Sequence, residues 1–234
     1  MRLSNAIRYD MLFQFRHRFY HAYFVITALY VILLQFFPEN IRPMTTIILL
    51  FSDTAALGFF FIGAIILLEK DQNILDSLFV TPLKIYEYVF AKIISLAVIA
   101  LLSALAIVLF TFGFSVNLLL FIPGFLLVSS FYTLVGIVFS IISNNVNDYF
   151  AKSILVGLIA SVSLLPYFSV IDAPVLQLLP ILSSLTLIDL LIVPHSTAEL
   201  VYAFSNIVIW LLITTFFARH IFYKNIIIRA GSAR

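Results

Sequence analysis

Apolar stretches long enough to cross a bilayer alternate along this chain with short polar segments. A transmembrane helix needs about 20 mostly apolar residues, and six stretches come close to that length. The pattern therefore predicts an all-α membrane protein with six transmembrane helices. The predicted spans are Tyr20–Phe37, Met44–Leu68, Phe90–Phe114, Leu118–Ile142, Ser153–Val170 and Glu199–Tyr223.

Residues 1–19 precede the first span and predict a helix that lies on the membrane lipid. They carry four arginines, and their apolar residues recur at steps of four, a pattern typical of interfacial amphipathic helices. We favour this reading over the charged region of a signal peptide, because no small-x-small cleavage site ends the next apolar run. The recurring apolar residues are Leu3, Ile7, Met11, Phe15 and Phe19.

The composition supports a membrane protein and excludes several other classes. The 234 residues are 63% hydrophobic and 10% charged, whereas soluble domains have about 45–50% apolar and about 25% charged residues. No basic patch lies outside the membrane-flanking segments, so nucleic-acid binding is not indicated. The chain has no cysteine, which excludes disulfides and thiolate metal sites. We treat residues 1–234 as a single transmembrane domain.

Basic residues give the predicted orientation, because they concentrate in the cytoplasmic loops of membrane proteins. Both ends of the chain are basic, which places both inside and requires an even number of spans. With six spans, Arg42 alone among the 13 Lys and Arg residues lies outside. Residues 171–196 are apolar but interrupted by Pro174, Pro180 and Pro194. A seventh span there would move the basic tail outside, so we predict short, broken re-entrant helices on the outer side.

The segment from Glu69 to Lys92, EKDQNILDSLFVTPLKIYEYVFAK, joins spans two and three on the predicted inner side. Apolar residues recur at helical spacing in its first half and predict a short amphipathic helix over about residues 70–80. Thr81-Pro82 ends this helix, because the residue before a proline avoids helical angles and Thr81 can cap the next helix. An ordinary solvated loop would need neither an apolar stripe nor a Thr-Pro corner. The alternative interpretation is that this helix adheres to the lipid headgroups.

This amphipathic helix predicts a contact with a cytoplasmic partner protein. Its acidic first turn and polar face are available for the partner, while its apolar stripe fills a cleft or braces the helix against its own spans. The candidate contact residues are Glu69, Lys70, Asp71, Gln72, Asn73, Ile74, Leu75, Asp76, Leu78, Phe79, Thr81 and Pro82.

The sequence carries no motif for catalysis or nucleotide binding. The patterns GxxxxGK[ST], HExxH and GxSxG are absent, so we expect neither enzyme activity nor a cofactor in this chain. His17 and His21 are four residues apart, but no third ligand follows, and we interpret them as a polar interfacial pair. His195 and Glu199 lie at a span boundary, where polar residues are expected, and predict no site.

Three residues within the spans are candidates for a substrate pathway. Asp53 lies in the second span, where an ionisable group is costly and usually serves function or an ion pair. The alternative for Asp53 is that it reaches the outer interface. Phe60 and Trp210 also lie within spans, and packing in the core is the alternative for both.

The segment LLEKDQNILDSLFVTPLKIYEYVFAKI resembles the loop between spans two and three of type-two ABC exporter permeases. In that family an acid opens the segment, Thr-Pro ends its short helix, and a lysine follows about ten residues later; here these are Glu69, Thr81-Pro82 and Lys92. The resemblance covers nearly the whole chain. The stretches FSDTAALGFFFIGAIILLEK and RYDMLFQFRHRFYHAYF resemble a bacterial subgroup known as fluoroquinolone export permeases.

The resemblance implies an export function powered by other subunits. Two six-span permease copies would pair in the bacterial cell membrane, and two cytoplasmic ATPase subunits, holding ATP and Mg, would dock beneath them. The short helix, about Lys70–Val80, would be the coupling helix in the ATPase cleft. A stand-alone secondary carrier or channel is the alternative. Such a carrier usually needs several ionisable groups inside the membrane, and here Asp53 is the clear one. A membrane subunit without transport activity is a third, weaker idea.

Overall fold

The computed structural model describes residues 2–75, 83–113, 116, 118–168 and 174–222, and this part of the chain is helical with connecting turns. The helices are α1 (Arg2–Arg16), α2 (Phe19–Gln35), α3 (Arg42–Ala56), α4 (Ile62–Asp71), α5 (Ile85–Phe112), α6 (Leu118–Ile142), α7 (Val146–Leu164), α8 (Pro180–Asp189) and α9 (Thr197–Phe222). A π-helical segment, Leu57–Phe61, joins α3 to α4, and a 3₁₀-helix, Pro174–Leu178, precedes α8.

Four helices in the described part of the chain are long and apolar enough to cross a membrane. They are the continuous helix Arg42–Asp71, α5, α6 and α9. The pair α1 and α2 adds a fifth if it counts as one span bent by 68°. The predicted all-α membrane fold is confirmed at this level. The fifth predicted span corresponds to α7, which begins earlier than expected, at Val146. The six-span layout stays a prediction.

Helix α6 is the centre of the bundle. It packs against α3, the π-helical segment, α4, α5, α8 and α9. Its most apolar 18-residue window is 61% buried, whereas the corresponding window of α9 is 22% buried. The outward faces of α2, α7 and α9 carry large apolar side chains that are exposed in the single chain, such as Phe24, Leu155 and Phe216. These faces suit lipid, as expected for peripheral helices of a membrane bundle.

The π-helical segment brings α6 and the second long helix into close contact. A π-turn leaves a backbone carbonyl without its usual intrahelical partner, and the Tyr149 hydroxyl donates a hydrogen bond to the carbonyl of Phe59. The Tyr149 ring lies so close to Gly63 that a Cβ atom at this position would clash with it. Gly136 of α6 lies equally close to the segment. An added Cβ would stand 2.6 Å from the carbonyl oxygen of Gly58.

Helix α1 turns a polar face towards the bundle. Arg18, which has a left-handed φ of 61°, lies at the bend between α1 and α2. Asp10 and Gln14 are buried against α5, while Phe15 of the apolar stripe is 58% exposed. The exposed stripe is compatible with the predicted contact with lipid. The burial of two polar residues on the opposite face was not foreseen from the sequence.

We predict that Gly136→Ala destabilises the protein, because its methyl group would stand 2.3 Å from Ile62 Cγ2 and 2.6 Å from the carbonyl of Gly58. Overpacking of this kind costs about 1–3 kcal/mol. Thermal unfolding of the purified protein in detergent measures the loss. Gly157→Ala is the matched control, since an added Cβ at Gly157 meets no atom within 4 Å. Equal melting temperatures for the two variants would contradict the close packing at Gly136.

Candidate functional site

A buried lysine joins three helices at the predicted inner end of the bundle. The Lys92 side chain of α5 is 2% exposed, and its ammonium group forms ion pairs with Asp10 of α1 and Glu69 of α4. The distance from Lys92 Nζ to Glu69 Oε1 is 2.5 Å. Both carboxylates are buried as well. We call these three residues the ionic cluster; with all three ionised it carries a formal charge of −1.

Neutral side chains complete the hydrogen bonds of the ionic cluster. The Tyr88 hydroxyl donates to Glu69 Oε2 at 2.6 Å, and Gln14 Nε2 donates to Asp10 Oδ2 at 2.7 Å. The Ser95 hydroxyl also donates to Asp10. All four carboxylate oxygens therefore accept at least one hydrogen bond. Hydrogen bonds and opposite charges of this kind offset the free-energy cost of burying charged groups.

A cavity of about 280 Å³ adjoins the ionic cluster. Asp10, Glu69 and Lys92 contribute to its wall, together with residues of the first two turns of α1 and with Leu83, two residues before the start of α5. The cluster is thus buried but lies at the edge of the bundle rather than at its centre. A conformational change near Leu83 would reach the buried charges directly.

The sequence flagged two members of this cluster and missed the third. Glu69 and Lys92 were singled out through the family resemblance, but their mutual ion pair was not predicted. Asp10 was missed because its helix was interpreted as a surface helix, in which an acid ordinarily faces water. One signal was available: Asp10 and Gln14 are four residues apart and lie on the same face of α1.

The first half of the predicted coupling segment departs from the expected geometry. Helix α4 ends at Asp71, and Asn73 has a left-handed φ of 55°, so the chain turns here instead of starting a helix at residue 70. Asp71, Gln72 and Asn73 are exposed. Beyond the turn, Ile74 is half-buried and Leu75 is buried in the core, which agrees with the bracing role considered for the apolar stripe.

The two charged residues before this turn are held within the chain. Glu69 belongs to the ionic cluster, and the Lys70 ammonium donates to the backbone carbonyls of Ser140, Ile141 and Ser143 at 2.8, 2.9 and 3.0 Å. The charged groups of Glu69 and Lys70 are therefore both bound by other groups of this chain, unlike the charged group of an ordinary exposed residue. The other predicted contact residues, Asp76, Leu78, Phe79, Thr81 and Pro82, lie outside the described residues.

The three residues proposed for a substrate pathway have separate surroundings. Asp53 is 4% exposed and accepts a hydrogen bond of 2.7 Å from the Tyr23 hydroxyl. Trp210 Nε1 donates to the carbonyl of Leu178 at 2.9 Å and so anchors the 3₁₀-helix to α9. Phe60 is 40% exposed and stacks on Phe150. The structure therefore does not gather them into one site.

Asp53 lies behind an apolar groove rather than in a water-filled channel. The groove, about 600 Å³, runs between α2 and α5, and Tyr23 and Ser103 form part of its wall. The Tyr23 hydroxyl donates to Asp53, whereas the Ser103 hydroxyl pairs with the Thr27 hydroxyl at 2.7 Å. Asp53 thus has a hydrogen-bond partner within the chain, as most buried polar groups do.

Metal binding finds no support in the described part of the chain. No group of three His, Asp or Glu side chains there converges in a way that could hold an ion. His17 Nδ1 instead lies 2.9 Å from the carbonyl of Phe13. Among the described residues, the ionic cluster is therefore the best candidate for a functional polar site at the predicted inner end.

The long apolar helices in the described part of the chain are those of an integral membrane protein. A family model for fluoroquinolones export permease proteins matches residues 1–230, and the chain belongs to this family. The resemblance to export permeases predicted from the sequence is thereby confirmed. Two relatives from Mycobacterium tuberculosis, strains CDC 1551 and H37Rv, are each named fluoroquinolones export permease protein. Each is 29% identical over 180 residues, which is 76% of this chain and 76% of the relative.

We predict that Lys92→Met lowers the free energy of unfolding by about 3–5 kcal/mol, because two buried carboxylates would lose their counter-ion. Thermal unfolding in detergent measures this loss. Lys84→Met is the matched control, since Lys84 is exposed. Replacing the whole cluster, as Asp10→Asn, Glu69→Gln and Lys92→Met together, should recover part of the stability because no buried charge is then unpaired. Equal stability of Lys92→Met and Lys84→Met would contradict the cluster.

Proposed function

We propose that this chain is the transmembrane subunit of an ATP-binding-cassette exporter, driven by a separate cytoplasmic ATPase. It would move a hydrophobic or amphipathic compound outward, and the name of the relatives suggests a drug such as a fluoroquinolone. One observation carries the proposal: the ionic cluster lies directly behind the exposed turn formed by Asp71, Gln72 and Asn73. A partner that moves this turn would move three helices together.

The ionic cluster suits the transmission of force better than the binding of substrate. Glu69 is two residues from the end of α4, so a displacement of the turn reaches Lys92 through one ion pair and Asp10 through the next. Helix α1 would then move together with α4 and α5. ATP and Mg would be bound by the partner ATPase, since the sequence of this chain has no P-loop motif.

A second copy of the permease would complete the transport pathway. Helices α2 and α7 each present large exposed apolar side chains, such as Phe24, Leu29, Leu155 and Leu158. These faces suit either lipid or a second subunit, and Gly157 on α7 leaves open space that would allow close helix approach. The lining of the pathway would include faces that the single chain leaves exposed.

A secondary carrier is the second candidate function, because the chain contains buried ionisable groups. The positions of these groups argue against it. Coupling ions in such carriers bind near the middle of the bilayer. Lys92 is seven residues after Ile85, the first residue of α5, which is about 10 Å along the helix axis. The ionic cluster is therefore near one end of the bundle. Asp53 is deeper, but Tyr23 already holds its carboxylate.

Topology gives the first test of this proposal. The sequence has no cysteine, so single cysteines placed at exposed positions report their side of the membrane. We expect Val175→Cys to react with an impermeant maleimide in intact cells, and Gln72→Cys to react only after the membrane is permeabilised. Labelling of Gln72→Cys but not of Val175→Cys in intact cells would overturn the orientation.

Coupling to an ATPase gives the second test. Leu78→Asp would place a charge in the proposed ATPase contact, at a cost of several kcal/mol (about 3–5), and should prevent co-purification with the cognate ATPase. Asp10→Asn should retain the ATPase but reduce substrate-stimulated ATP hydrolysis in lipid vesicles about tenfold, because force would no longer pass through the ionic cluster. Asp71→Ala, at the exposed turn, should have a smaller effect.

The secondary-carrier reading makes the opposite prediction for the same variants. If Leu78→Asp transports substrate as the parent does, and transport persists without ATP but stops when a protonophore is added, the ATPase-driven proposal is wrong. Insertion into the membrane should be unchanged in all three variants, since none of the substitutions lies in the apolar part of a span.

A further inference from the structure

A second polar cavity lies at the other end of the bundle, between α8, α9 and the end of α7. Its volume is about 400 Å³, within the range of sites that take a small organic molecule. Asp189, His195 and Glu199 line it on one side, and the aromatic residues Tyr167 and Tyr202 contribute further wall. We call it the outer cavity, because it lies on the side proposed to face outward.

The polar groups of the outer cavity are arranged around one imidazole. His195 Nε2 lies 2.6 Å from Asp189 Oδ1, and His195 Nδ1 lies 3.3 Å from Glu199 Oε2. The Tyr167 hydroxyl also donates to Asp189, at 3.2 Å. Burial raises the pKa of Asp189, and the contacts with His195 and Tyr167 act in the opposite direction. The sequence predicted no site at His195 and Glu199, because Asp189 is brought to them only by the packing of α8.

The charge of this arrangement is negative in either protonation state of His195. A neutral imidazole donates only one hydrogen bond, so one ring nitrogen would face a carboxylate lone pair to lone pair. A protonated imidazole donates to both carboxylates and leaves a net charge of −1 when both are ionised. None of the described residues that line the outer cavity is a lysine or an arginine.

One residue that lines the same cavity has a buried hydroxyl without a hydrogen-bond partner in the described part of the chain. Ser183 is 3% exposed and lines the outer cavity, yet its Oγ has no hydrogen-bond partner among the described residues. A buried polar atom without a partner costs free energy, and such atoms are few in native proteins. A molecule with a hydrogen-bonding group, bound in the cavity, would pair with this hydroxyl once the Ser183 side chain rotates towards it.

We propose that the outer cavity binds an organic ammonium compound, that is, a protonated amine attached to an apolar body. The ammonium group would interact with Asp189 and Glu199, the faces of Tyr167 and Tyr202 would add cation–π attraction, and the apolar body would lie against Leu182 and Ala203. Binding is a property of this chain alone. Its role as the outer end of an export path rests on the proposed function.

A metal ion fits this cavity less well than an amine. His195 stands between the two carboxylates, and each of its ring nitrogens points at a different one. The three side chains therefore do not converge on a common point, as ligands of one ion must. An ammonium ion needs no such convergence, because it interacts with several acceptors through separate N–H bonds.

The test compares two cage compounds of nearly the same shape on the purified full-length permease in lipid nanodiscs. Amantadine carries a protonated amine, and 1-adamantanol carries a hydroxyl in its place. We expect amantadine to bind at least about tenfold more tightly than 1-adamantanol by titration calorimetry, because only the amine is charged. Equal affinities would overturn the proposal, and so would binding by empty nanodiscs that matches that of the protein.

Variants assign any binding to the outer cavity. Asp189→Asn should weaken amantadine binding by about tenfold to a hundredfold. Glu199→Gln is the second variant, since its amide can still accept from the Ser196 backbone N–H and keep the start of α9 capped. Asp148→Asn, at a half-buried carboxylate paired with Lys152 and outside the outer cavity, is the matched control and should bind like the parent.

Unchanged binding in both Asp189→Asn and Glu199→Gln would overturn the proposal. The assay uses neither ATP nor a partner subunit, so its outcome is independent of the ATPase-driven export proposal. If binding follows the prediction but the coupling experiments fail, the cavity is a ligand site in a protein with another energy source.

Discussion

The ammonium group of Lys92 cannot lie unpaired in an apolar interior, and much of the structure at this end of the bundle follows from that constraint. Removing a charge from water costs several kcal/mol, about the net stability of many domains, unless opposite charges and hydrogen bonds replace the water. Lys92 obtains them from Asp10 and Glu69, which belong to two other helices. One side chain thus links α1, α4 and α5 at this end of the bundle.

The positions of the long helices could be predicted from the sequence, whereas their polar contacts could not. Hydrophobic length alone placed α6 at Leu118–Ile142, with the bounds that the structure shows. The start of α7 was set too late because its first two turns are polar and resemble a loop. Asp10 and Asp189 were missed for a common reason. Each acquires its partner from a helix distant in sequence, and the pattern along one helix contains no information about which neighbour will pack against it.

Several buried polar groups of this apolar chain form a hydrogen bond or ion pair with a group on another helix. Lys92, Glu69 and Asp53 all have partners on other helices, and the Tyr149 hydroxyl binds the carbonyl of Phe59 at the π-helical segment. In an apolar surrounding such bonds have no competing water. They therefore give the bundle a unique arrangement where side-chain shape alone would allow several. Ser183, which lines the outer cavity, is among the described residues whose buried polar atoms lack such a partner.

The three hydrogen bonds from Lys70 to the last turn of α6 have a mechanical consequence. They attach the lower end of α4 to the central helix of the bundle, so these two ends cannot separate without leaving several carbonyls unpaired. In the proposed coupling, a force on the turn after Asp71 would therefore move α4 and the end of α6 together. A bend would then fall at the π-helical segment Leu57–Phe61, where the regular α-helical hydrogen bonds of the same long helix are interrupted. This segment lies against Gly136 of α6.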